Sequence, residues 1–110
     1  MDALGIASSG LQAAGAQLNV TANNIANLNT PGFKAQRVDL TAAPNNDGVE
    51  VSGVQSTDLP VDPAAAMVQL RQAKLFYGAN AMVVRTADQM YGSLLNVLDN
   101  ENQRSAWDQG

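Results

Sequence analysis

The sequence predicts a mainly α fold, in which two long N- and C-terminal helices form an antiparallel coiled-coil hairpin with a short β-hairpin between them. Three observations carry that prediction. Near the start, Leu4, Leu11, Leu18 and Ile25 recur every seven residues, with Ala7, Ala14, Thr21 and Leu28 interleaved. Near the end, Leu70, Tyr77, Val84, Tyr91 and Leu98 recur in the same way, with Ala73, Asn80, Ala87 and Leu94 between them. The segment that separates the stripes is short, alternating and rich in turn formers. A seven-residue repeat keeps one helix face turned toward a partner as both coil. The two ends are expected to pair with each other or with neighbouring copies, which points to assembly rather than catalysis.

The first helix is expected over Ala3 to Leu28, about 39 Å at 1.5 Å per residue. Asp2 fits its N-cap, and the negative charge suits the positive end of the helix dipole. Gly5, Gly10 and Gly15 lie inside it, each costing about 1 kcal/mol against alanine. Order in this helix must therefore come from packing. Asn29-Thr30-Pro31-Gly32-Phe33 ends it: proline presets the second position of a turn, and glycine accepts the positive φ that a type II turn needs next. Phe33 is expected to fold back onto an apolar surface.

From Lys34 to Pro60 the chain reads as a hairpin. Val38 and Leu40, then Val49 and Val51, alternate with polar neighbours, and Ala43 to Gly48 has turn chemistry. Gly53 marks a bulge. Such a hairpin is barely stable alone and should lean on the helices. Asp62 and Pro63 then supply the N-cap and first position of a second helix, expected to about Leu98, about 54 Å long. Two further stripes on it, Phe76-Val83-Met90-Val97 and Val68-Leu75-Met82, make it too apolar for one partner. The organisation expected is thus an N-terminal assembly helix and turn over 1–33, a hairpin over 34–61, a C-terminal assembly helix over 62–99 and a fraying polar tail over 100–110, from which Trp107 could dock.

At 110 residues the chain builds one small domain at most, with a modest core. Its net charge of -4 and lack of any basic cluster argue against nucleic acid or an anionic membrane as partner. Without cysteine or histidine it has no disulfide, thiol nucleophile, imidazole base or usual zinc ligand. Ala3 to Phe33 carries no charge, yet Asp2 and the interspersed Gln and Asn residues fit neither a cleaved signal nor a membrane span. Ser8 and Ser9 have no base to activate them, the glycine spacing matches no phosphate loop, and Asp62 is explained as a cap. No catalytic, cofactor-binding or metal-binding constellation is expected, and the tyrosines read as core residues with hydroxyls at its edge.

The run Ser9-Gly10-Leu11-Gln12-Ala13-Ala14, then Leu18-Asn19-Val20, Ala22-Asn23-Asn24-Ile25-Ala26-Asn27 and Asn29-Thr30-Pro31-Gly32-Phe33-Lys34, resembles the signature of bacterial flagellar basal-body rod and hook proteins. Met67-Val68, Gln72-Ala73, Tyr77, Ala79-Asn80, Val83, Thr86 to Met90 and Leu94 to Val97 resemble that family's C-terminal helix. The resemblance implies that the terminal helices line a tubular axial structure while the middle faces outward. It implies assembly with self and with other rod and hook proteins, and location in the periplasm-spanning rod. It also implies export, unfolded and without a cleaved signal peptide, through the flagellar type III apparatus. The short middle is closest to the small proximal rod type, whereas residues 100–110 extend past the family's helix. Asn23, Asn24, Pro31 and Phe33 would belong to the turn that contacts neighbouring subunits. The asparagines can also be read as caps or solvated residues. Asn80, inside the second stripe, is the better candidate for an interchain hydrogen bond that fixes register. The alternative from another class is a soluble helical-hairpin adaptor or export chaperone that holds a partner helix.

Overall fold

The computed structural model describes residues 3–109, with side chains through residue 104. Helix α1 spans Ala3–Ala26, strand β1 Gln36–Ala42, strand β2 Val49–Ser56 and helix α2 Pro63–Gln109, with a single 3-10 turn at Pro44–Asn46 between the strands. The expected fold is present: two long helices in contact, and a short antiparallel two-stranded sheet between them in sequence. Gly10 lies against Asn80 and Gly15 against Tyr77, so the helices run antiparallel.

Asp62 and Pro63 start α2 as expected. The Asp62 carboxylate accepts from the Ala64 N–H at 3.1 Å and its carbonyl from Ala66 N–H at 2.9 Å. The far end differs from expectation. α2 does not end near Leu98 but continues through Gln109, taking in the stretch read as a fraying tail. Neither Gly nor Pro occurs between Leu94 and Gln109 to stop it. α1 ends two residues early, at Ala26, because the backbone tightens: Leu28 N–H bonds to Ile25 C=O at 3.2 Å and Thr30 N–H to Asn27 C=O at 3.0 Å. The type II turn then forms on Pro31 and Gly32, with Phe33 N–H donating to Thr30 C=O at 3.2 Å and Gly32 at φ +76°. Asp2 lies outside the described residues, and Trp107 outside the described side chains.

The bulge expected at Gly53 has a clear purpose. Pairing runs Asp39 with Gly53 and then Leu40 with Val51, which leaves Ser52 as the extra residue. Ser52 Oγ donates to Asp39 C=O at 3.1 Å. Side chains alternate along a strand, so without the bulge Val54 would face away from Val49 and Val51. With it, Val49, Val51 and Val54 share a face with Ala42, Leu40 and Val38.

Two polar clamps fix the hairpin to α1. At its base, the Asn24 side-chain amide behaves like a strand end: Nδ2 donates to Gln36 C=O and Oδ1 accepts from Gln36 N–H, both at 2.9 Å. Asn24 is only 3% exposed. At its tip, Ser9 Oγ accepts from Val49 N–H at 3.2 Å. Gly48, at φ +100°, packs so closely on Ser9 and Ile6 that a Cβ there would run into the Ser9 hydroxyl.

Between the helices the core is made of small residues. Ala7, Ala13, Ala14, Ala66, Ala73, Thr21 and Asn24 are buried, and the heptad leucines flanking them are half-buried. Such residues let helix backbones approach closely. The chain is long and thin, 78 × 27 × 15 Å, with a radius of gyration of 21.2 Å against about 13 Å for a compact domain of this length.

Asn24→Ala leaves the half-buried Gln36 without its N–H and C=O partner and should cost about 1–3 kcal/mol. Amide exchange at Gln36 should accelerate while that of mid-α2 does not. Gly10 gives a second test. A Cβ there would stand 2.5 Å from Asn80 Oδ1, so Gly10→Ala should destabilise by about 1–2 kcal/mol through overpacking. In an Asn80→Ala background the same change should stabilise by about 1 kcal/mol through helix propensity. Thermal melts of the four chains in a double-mutant cycle read this reversal of sign.

Candidate assembly interface

The α2 stripe predicted from the heptad repeat is a single face with two different environments. Ala66 and Ala73 are buried against α1, and Leu70, Asn80, Val84 and Ala87 are half-buried. One turn further on, α1 has reached its first residues, and the same face meets water. Tyr91 is 52% exposed, Leu94 55% and Leu98 52%. The side chains change where the environment changes. Ala66, Ala73, Asn80 and Ala87 form the small-residue row that admits α1, and the next member of that row is Leu94. About 21 residues of α2, some 32 Å, project past α1.

The predicted interface residues therefore divide. Leu4, Leu11, Leu18, Ile25, Leu70 and Val84 are half-buried along the intrachain seam, and Tyr77, also on the seam, stays largely exposed. Asn80, the candidate for an interchain register bond, bonds to its own helix: Nδ2 donates to Phe76 C=O at 2.8 Å while the side chain packs on Gly10. Asn24 is committed to Gln36 within the chain and is not available to a neighbour. Asn23 is exposed and donates to Gln36 Oε1 at 3.1 Å. Leu28 and Pro31 are exposed, and Phe33 is half-buried. Tyr91, Leu94 and Leu98 stand free of α1.

The turn after α1 is held by its own polar groups. Asn27 Nδ2 donates to Asn23 C=O at 2.9 Å and to Asn23 Oδ1 at 3.1 Å, and Thr30 Oγ1 donates to Asn27 Oδ1 at 3.1 Å. This network presents Leu28 and Pro31 outward on a defined backbone. The clamps by Ser9 and Asn24 on the hairpin escaped the periodicity argument. Their signal, a polar residue within an otherwise apolar helix face, is the same as that of a cap.

The lateral stripes are exposed too. Val68, Leu75, Phe76, Met82, Val83, Met90 and Val97 are each at least 45% exposed. In all, the chain exposes 7993 Å², against about 5,800 Å² for a compact monomer of 11.5 kDa. A small cleft where α1, β1 and α2 meet is lined by Gln17, Thr21, Gln36, Gln69, Gln72 and Phe76 among others, amides that suit water or a peptide. Among the described residues no three His, Cys, Asp or Glu side chains gather as a metal site, and no helix is long and apolar enough to cross a membrane.

The model of the family described as Flagella basal body rod protein matches residues 4–34, which are α1 and the turn that follows it. A segment of 41 residues is 51% identical to the flagellar basal-body rod protein FlgG of Agrobacterium fabrum. That segment is 37% of this chain and 16% of the relative, so the chain matches only about a sixth of that protein's length. The family is a structural one and not one of enzymes. Over α1 and its turn, the chain is similar to the flagellar basal-body rod proteins.

Proposed function

We propose that this protein is a structural subunit of the bacterial flagellar basal-body rod that self-assembles through its terminal helices into the periplasm-spanning axial structure used for motility. Its partners are other copies and other rod and hook proteins. It reaches them through the flagellar type III export apparatus without a cleaved signal peptide, and it needs no cofactor. The short stretch between the helices supports a place among the small proximal rod proteins, although the relative found is FlgG.

One observation carries this reading: the face of α2 that is dry against α1 continues, equally apolar, into solvent. An excess of roughly 2,200 Å² over a compact monomer is enough for more than one interface, since a standard one takes about 800 Å² from each partner. The glycine-rich, uncharged α1 also suits a chain that travels unfolded and orders on docking.

Deletion of the gene should abolish swimming, and a tagged chain that restores it should be recovered in purified basal bodies. Recovery solely as a soluble pair with one other protein would favour the adaptor or chaperone reading. Leu94→Asp with Leu98→Asp should block incorporation into basal bodies while leaving the melting of the α1–α2 seam, which ends at Ala87, within about 1 kcal/mol of the parent.

A further inference from the structure

α2 is electrically polarised along its length. From Pro63 to Ala87 its charged residues are Arg71, Lys74 and Arg85, with no acid among them. From Asp88 onward they are Asp88, Asp99, Glu101 and Asp108 against Arg104 alone. Arg71, Lys74, Arg85, Asp88 and Asp99 are all exposed, and among the described residues none is ion-paired.

The charges also border the apolar stripes. At about 100° per residue, Arg71, Lys74 and Arg85 fall within roughly 60° of one another, along one border of the exposed Val68-Leu75-Met82 stripe. On the projecting part, Asp88 and Asp99 fall within about 20° of each other, along the border of the Tyr91-Leu94-Leu98 face. Seen from the N-terminus, the acids border their apolar face on one rotational side, and the bases border theirs on the other. When two helices pack face to face in parallel, opposite rotational sides meet. A shift of fourteen residues, two heptads, brings Asp88 beside Lys74 and Asp99 beside Arg85.

From this juxtaposition we infer that the projecting C-terminal half of α2 docks on the N-terminal half of α2 in a second copy, parallel and head to tail. This contact rests on the reading of the chain as a self-assembling subunit and identifies the partner surface. Two projecting halves packed antiparallel would instead bring acid against acid, and the large residues Tyr91, Leu94 and Leu98 do not suit the alanine row that receives α1. A head-to-tail contact uses different surfaces on the two partners, so it leaves each new copy with a free end and can propagate.

The test uses two full-length variants and sedimentation velocity over a concentration series at low and high salt. One variant is Asp88→Lys with Asp99→Lys, the other Lys74→Glu with Arg85→Glu. The parent should associate with concentration, and less so at high salt. Each variant alone should associate about tenfold more weakly or worse, and an equimolar mixture should recover the parent's association, because each variant then offers what the other lacks. That recovery also shows that both variants fold. Three results would each overturn the contact: a parent that stays monomeric, a Lys74→Glu/Arg85→Glu chain that associates like the parent, or a mixture no better than its components. Should the mixture recover association while the chain is absent from basal bodies, the contact stands and the rod assignment falls. If the chain is in basal bodies but the mixture fails, the reverse holds.

Discussion

The structure depends on how little one copy of this chain can bury. Among the described residues, only alanines, Thr21 and Asn24 are fully buried, and the larger seam residues are half-buried at most. Burying an alanine methyl is worth roughly 0.8 kcal/mol, whereas fixing each residue's backbone costs about 1–2 kcal/mol. Five alanines cannot hold a 47-residue helix in place by their own transfer energy. What they do supply is proximity: small side chains let α1 and α2 approach closely enough for dispersion along the whole seam. Apart from the half-buried seam residues, the large apolar side chains of α2 are set on the outside, in rows.

From that constraint the remaining features follow. α1 is unsuited to stand alone, with glycines and asparagines through its length, and it is gripped on two sides by α2 and the hairpin. The hairpin is equally weak alone, and so it is tied down at both ends by Asn24 and Ser9. Each element lacks something another supplies, and the last deficit, on the outer faces of α2, is met by nothing within the described residues of this chain.

Much of this was legible from sequence because it is periodic. The heptad rows, the Asp62-Pro63 start, the Pro31-Gly32 turn and the Gly53 bulge depend on residues close in sequence, where backbone geometry leaves few choices. What escaped was non-local or unpunctuated. Asn24 meets Gln36 twelve residues away, and nothing in its local pattern separates a docking amide from a cap or an intersubunit bond. The passage of α2 through residues 99–109 escaped because polar composition suggests fraying, while only glycine or proline would have stopped the helix. The stripe also could not say where α1 would stop covering it. That depends on the offset of the two helices, which places Gly10 against Asn80.

The hairpin rests chiefly on α1, and its bulge gathers all its valines onto one surface. Its opposite surface carries Arg37, Asp39, Glu50 and Gln55, none of which takes part in the alanine seam. Evolution is therefore free to redecorate or enlarge the outward side of this module while the alanine seam beneath stays untouched. One helical frame can thus wear exteriors of very different size.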